Sequence, residues 1–196
     1  MLSSNQFENF FKKGISFENY LVQFNELLTH QNSLSELYRH EYYNYYNLNL
    51  HRISRVEKLF QFNIDLKSKI EKISKKQHWL VLSEFWCGDA AQILPALNLI
   101  ALTNSLIEFK ILHRDENLEL MDEFLTSGGR SIPKLIILDE KFNFVNQYGP
   151  RPKIAQDLVL SLKSKPETAD NYAQELHLWY ARNKSIDLQK ELLELF

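Results

Sequence analysis

A chain of 196 residues with 44% hydrophobic and 24% charged residues has the make-up of a globular protein and is long enough to bury a full core. Its net charge of −2 excludes the strongly basic proteins that bind nucleic acids or anionic membrane surfaces, so neither is expected as a partner. The one cysteine, Cys87, cannot close an internal disulfide, which excludes a disulfide-stapled secreted protein.

Met1 to Phe11 lacks the basic, apolar, small-residue order of a signal peptide. No apolar run approaches the roughly 20 residues that span a bilayer. The expectation is a cytoplasmic protein with a reduced thiol. Residues 1–75 read as a helical extension. Within it, Ser16 to Leu28 carries Phe17, Tyr20, Leu21, Phe24, Leu27 and Leu28 at helical spacing. Ser33-x-x-Glu36 is a capping-box pattern for a second helix. Ile53, Val56, Leu59 and Phe60 give a third stripe, continued by Leu66, Ile70 and Ile73 with Asn63 as a cap. Tyrosines 38, 42, 43, 45 and 46 form a dense patch. Arg39, His40 and Glu41 among them do not make the basic stripe that base stacking needs, so the patch is expected to pack the extension on the core.

Residues 76–165 alternate strand and helix. Trp79 to Phe85 is an apolar run of strand length, and Ala90 to Leu102 is a helix with Pro95 inside it. Ile107 to Leu112 is a second strand, and Leu118 to Leu125 a short helix ended by Gly128-Gly129. Leu135 to Leu138 and Phe144 to Tyr148, joined by the polar Asp139-Glu140-Lys141, pair as a hairpin. Ile154 to Leu162 is a closing amphipathic helix. This order predicts a mixed sheet covered by helices. Lys163 to Thr168, polar and containing Pro166, reads as a linker. Residues 166–196 then carry two more helical faces, Tyr172, Leu176, Trp179 and Tyr180, and Leu188, Leu192, Leu193 and Phe196.

Four features stand in a telling order. Trp86 precedes Cys87, Pro95 lies in the following helix, Ser131-Ile132-Pro133 precedes an apolar strand, and Gly149 follows the last strand. In these the chain resembles thioredoxin. Trp86-Cys87-Gly88-Asp89-Ala90-Ala91-Gln92, Arg114-Asp115-Glu116-Asn117, Gly128-Gly129-Arg130-Ser131-Ile132-Pro133-Lys134 and Gly149-Pro150-Arg151-Pro152 together look like a bacterial thioredoxin-like family with a helical N-terminal extension. That family has no settled biochemical role. The resemblance implies an α/β, thioredoxin-like fold: a mixed four-stranded sheet flanked by helices, with helical N-terminal and C-terminal extensions. It also implies a cis bond before Pro133, where the bare residues allow an ordinary trans turn, and it places Ile132 beside Cys87. Departures are plain. Ala90 stands for the second cysteine, Asp89 for the proline between them, and Val81 for the buried acid of the preceding strand.

Cys87 is the candidate nucleophile. At a helix N-terminus, unpaired N–H groups favour its thiolate, while the carboxylate of Asp89 opposes it. The other possibility is a small apolar residue kept for packing. Without a second thiol, attack on a disulfide stops at a mixed disulfide that an external thiol must resolve. Trp86, Asp89, Arg130, Ile132 and Pro133 are the candidate substrate-binding residues. Arg130 either stabilises a thiolate or binds a carboxylate, or else it pairs with Asp89 or Asp115. Asp89 is expected to cap its own helix; Arg151, between two prolines, either lines the same cleft or lies on solvent, the surface being favoured. Six scattered histidines without partner cysteines predict no metal site. No cofactor is expected beyond a low-molecular-weight thiol as co-substrate. Two functions stay open: a monothiol thiol-disulfide oxidoreductase acting on a disulfide-bearing or thiol-bearing protein or small thiol, and a non-catalytic binding module in which Cys87 is incidental. The oligomeric state is not legible.

Overall fold

The computed structural model describes residues 2–29 and 43–196. The Ser33–Glu36 pattern and Tyr38 and Tyr42 lie outside these residues, as does the side chain of Tyr43. Ten helices are described: α1 (Ser4–Lys13), α2 (Phe17–Thr29), α3 (Tyr43–Leu59), α4 (Ile64–Glu71), α5 (Gly88–Ala101), α6 (Leu118–Asp122), α7 (Lys153–Lys163), α8 (Pro166–Ala169), α9 (Tyr172–Asn183) and α10 (Ile186–Leu195). Four strands, β1 (Gln77–Ser83), β2 (Ile107–His113), β3 (Lys134–Leu138) and β4 (Phe144–Tyr148), form one sheet in the order β2-β1-β3-β4.

Strand β1 is buried over almost its whole length, as a central strand covered on both faces must be. It runs parallel to β2, from Gln77 opposite Ile107 to Ser83 opposite His113, with α5 as the crossover. Strand β3 is antiparallel to β1, and β4 to β3, with an irregularity at Ile137/Leu138. Strand β4 alternates buried or half-buried Phe144, Asn146 and Tyr148 with exposed Val145 and Gln147, the pattern of an edge. This is the mixed four-stranded sheet flanked by helices that the sequence predicts.

The added helices are bound to that sheet by aromatic packing. Helix α1 starts from a capping box between Ser3 and Gln6 and buries Phe7, Phe10 and Phe11. Its successor segment joins the sheet: Ile15 and Ile111 exchange backbone hydrogen bonds of 2.8 Å in both directions. Tyr20 and Phe24 of α2 pack on Phe85, and Phe24 meets Tyr46 of α3 edge-on. Tyr46 is buried as the sequence predicts of the tyrosine patch, whereas Tyr45 is exposed. Helix α3 lies along α5, α10 against α4, and α9 against α7. The Trp79 indole is fully buried and stacks on Phe196 at 5.6 Å.

Two elements depart from the sequence reading. A helix, α1, precedes the first predicted stripe. The segment read as a linker contains the short helix α8, because Pro166 is pre-organised for a first helical turn rather than breaking one. Asn63 caps α4 as expected, accepting from the Leu66 amide at 2.9 Å. Among the described residues no helix is long and apolar enough to cross a membrane.

Candidate functional site

Strand β1 ends at Ser83, and a turn closed by the Cys87 amide on the Glu84 carbonyl (3.1 Å) leads into α5. Helix α5 is buried on nearly every side, so its position is fixed by packing and its first turn is held at the sheet edge. In α/β sheets that edge, at the carboxyl ends of parallel strands, is where ligands collect. The Ile132–Pro133 peptide bond beside it is cis, and so is Gly149–Pro150, which the sequence reading did not anticipate. Gly149 has φ +111°, and a Cβ there would overlap the Pro133 carbonyl, so the two loops touch only because residue 149 is glycine.

An open cleft of about 580 Å³ lies at this junction, and Trp86, Cys87, Asp89, Arg130 and Ile132 line it. Pro133 fixes the loop behind Ile132 without lining the cleft. Arg114 and Arg151 of the core also line it, and sequence reasoning missed the remaining walls, Tyr45 of α3 and Tyr172 and His177 of α9. Arg114 covers the Trp86 ring at 4.9 Å and donates to the Arg130 carbonyl at 2.9 Å, tying the motif loop to the Pro133 loop.

Cys87 is 7% exposed. It is itself the N-cap of α5, its sulfur accepting from the Ala90 amide at 3.4 Å. The S–H donates to the Ile132 carbonyl at 3.4 Å. Burial first, and then the Asp89 charge, push the thiol up to about 12, against the pull of the Ala90 and Asp89 amides and Arg151. The thiol is therefore protonated at neutral pH.

Asp89 does not cap α5, since Cys87 holds that position. Its carboxylate instead accepts from Arg151 Nη2 at 2.5 Å and from the Tyr180 hydroxyl at 2.7 Å. Arg151 is consequently not on solvent: its side chain is 17% exposed and also donates to Gln156 at 3.2 Å. Arg130 pairs with neither Asp89 nor Asp115. It grips Asp122 of α6 through Nε (2.6 Å) and Nη2 (2.9 Å), because Arg151 occupies Asp89 and Arg114 occupies Asp115. A second buried acid near the turn, Glu84, is taken up by His113 (3.2 Å) and the Asp115 amide (2.8 Å). Among the described residues no group of three or more His, Cys, Asp or Glu is placed to hold a metal ion.

A family model described as Thioredoxin matches residues 37–184. The chain belongs to the thioredoxin family. Two crystal structures share the fold of this thioredoxin-family chain. One is a protein of unknown function, PA1234, from Pseudomonas aeruginosa, at TM-score 0.65 and 19% identity, covering 100% of this chain and 97% of its own. The other is an HIV epitope-scaffold, at TM-score 0.62 and 19% identity, covering 96% and 95%. No curated protein matches. Against this family background the missing second thiol, Ala90, and the missing strand acid, Val81, are both buried apolar positions here.

Proposed function

We propose that the Cys87 cleft binds a ligand and that the thiol is a contact within it, not a nucleophile. One observation carries this reading: the sulfur is buried, hydrogen-bonded as a donor to Ile132, and held in its protonated form by burial and by Asp89. With a pKa near 12 the thiolate is on the order of one part in 10⁵ at pH 7. The test is the alkylation rate of Cys87 by iodoacetamide in the folded full-length chain. The rate is expected to be slow and to climb through pH 10 without a plateau. A plateau with a midpoint below pH 8 overturns the reading.

A second reading has support of its own. Cys87 lines the cleft, and the Ala90 amide that points at its sulfur would stabilise a thiolate as well as a thiol. In this reading the protein is a monothiol oxidoreductase working in a thiol-reducing compartment such as the cytoplasm. The Cys87 thiolate attacks a disulfide R–S–S–R′, forming Cys87–S–S–R and releasing R′–S⁻. An external thiolate R″–S⁻ then attacks the R sulfur, giving R–S–S–R″ and freeing the Cys87 thiolate. The partners are a disulfide-bearing protein or small disulfide and a low-molecular-weight thiol. A glutathione adduct at Cys87 that persists until a small thiol is added supports this reading, and its absence removes it.

A further inference from the structure

We propose that the Cys87 cleft takes an uncharged aromatic compound bearing a hydrogen-bond acceptor, a ring carboxamide being the simplest case. This rests on the reading of the cleft as a ligand site and names the chemistry of what it holds. A volume of about 580 Å³ suits a small molecule. Tyr45 from α3, Trp86 from the motif turn and Tyr172 from α9 line it, together with Ile132 and Leu176. None of these three rings is sealed in the core: Tyr45 is exposed, and Trp86 and Tyr172 are half-buried. Rings left open on three separate segments of one cleft offer stacking area that the folded chain itself does not use, and a flat ring fills it best.

The charges of the wall select against an ionic ligand. Among the described residues each arginine that lines the cleft already faces a carboxylate. Arg114 grips Asp115 and the Arg130 carbonyl, Arg130 grips Asp122, and Arg151 grips Asp89. An anion would have to displace one of these acids or lie beside Asp89, which is itself part of the wall. A cation fares no better, because each ring already has one over it: Arg52 over Tyr45 at 5.6 Å, Arg114 over Trp86 at 4.9 Å and Lys163 over Tyr172 at 4.0 Å. Cys87 and His177, the other lining groups that could be charged near neutrality, are both neutral at pH 7. Burial and Asp89 keep the thiol protonated, and burial with Arg52, Arg55 and Arg151 pushes the imidazole down to about 3. His177 then supplies a directed donor. Arg55 Nη2 can only donate, so the Gln92 group that it meets at 2.9 Å is the amide oxygen. The Gln92 NH₂ must donate to His177 Nδ1 at 3.3 Å, which leaves the ring proton on Nε2. That proton has no acceptor among the described residues, and Nε2 is not one of the wholly buried side-chain atoms that lack a partner. It therefore opens to the cleft that its ring lines, where a neutral acceptor such as an amide carbonyl matches it.

The test is calorimetric titration of the full-length chain at pH 7 with benzamide, benzoate and benzamidine, which share one flat shape and carry no charge, a negative charge and a positive charge. Benzamide should bind saturably, in roughly the millimolar range, and the two ions about tenfold more weakly or not at all. Tyr172→Ala should weaken benzamide binding about tenfold, and Leu178→Ala, an exposed side chain on the same helix, should leave it unchanged. In the wild type, ¹⁵N spectra should show the His177 Nε2–H signal shifting as benzamide saturates the cleft. No benzamide binding, an ion that binds as tightly as benzamide, an equal loss in Leu178→Ala, an unchanged affinity in Tyr172→Ala or an unmoved Nε2–H signal overturns the assignment. The charge series and the Nε2–H shift use the wild type, so they decide even where Tyr172→Ala fails to fold. If benzamide does not bind while Cys87 stays inert to alkylation, only the choice of ligand falls; alkylation with a plateau below pH 8 brings down the ligand reading itself.

Discussion

His113 and His177 flank the same turn between β1 and α5, and the protein drives them in opposite directions. His113 stands against Phe85 at 4.9 Å, bonded through Nδ1 to Glu84, and that bond raises its pKa. Tyr20 of α2 stacks over it at 5.9 Å. His177 rests on Gly88 at the other end of the turn, among Arg52, Arg55 and Arg151, and is pushed down to about 3. The sheet is common to both. The difference lies in what surrounds each ring: a carboxylate from the turn on one side, arginines from α3 and the Pro150 loop on the other. A shared scaffold sets where a side chain stands, while its neighbours from distant segments set its charge.

The contrast can be broken at its strongest point by acid. A histidine whose folded pKa is depressed gives stability that is present above pH 6.5 and lost as the pH falls toward 3, because the unfolded chain takes up a proton that the folded one refuses. The loss should follow about 1.4 kcal/mol per pH unit at most, on the order of 4 kcal/mol in all. Urea midpoints of the wild type measured from pH 7 to pH 3 should drop more steeply than those of His177→Phe. Parallel slopes in the two proteins would refute the account of His177. Next in size is Arg151→Gln, which strands the Asp89 carboxylate with only Tyr180 as partner. A loss of about 3 kcal/mol in urea unfolding is expected. The same variant, by removing a cation that favours the Cys87 thiolate, should slow its alkylation further.

The opposite sign belongs to His113. A raised folded pKa gives stability that is fully present below pH 6.5 and lost as the pH rises through the folded value. The destabilisation in His113→Gln should therefore be larger at pH 6 than at pH 9, and under about 1 kcal/mol because the ring is partly solvated. A penalty that grows with pH would contradict the Glu84 pairing. Smallest of all is Arg130→Gln. Its partner Asp122 is nearly half exposed, so the urea midpoint should not move measurably, and any change should be confined to ligand binding.

Much of the fold was legible because it is written locally. The apolar run of β1, the glycine and proline punctuation at Gly88, Pro133 and Gly149, and the hairpin turn at 139–141 each act within a few residues. It was the resemblance to thioredoxin that gathered Trp86, Cys87, Asp89, Arg130 and Ile132 at one edge. What stayed hidden is the pairing of charges. Asp89 finds Arg151 and Tyr180, which are 62 and 91 residues away in the chain, and no periodicity encodes such a meeting. Tyr180 and His177 were visible only as parts of a helix, Tyr180 on its apolar face, with nothing to say which loop α9 would cover. The state of the Cys87 sulfur was hidden for the same reason, since burial in the folded chain and the nearness of Asp89 decide it.

Gly88 gives this arrangement a further meaning. Its backbone is an ordinary first helical residue, so the glycine is needed for the room it leaves and not for conformational freedom. The imidazole of His177 fits into that room like a peg in a socket, and through it the last quarter of the chain is latched to the cysteine-bearing turn. A single added methyl group, in Gly88→Ala, would unseat the peg. The C-terminal helices would then become the first part of the protein to yield to a protease, while the sheet beneath them stays intact.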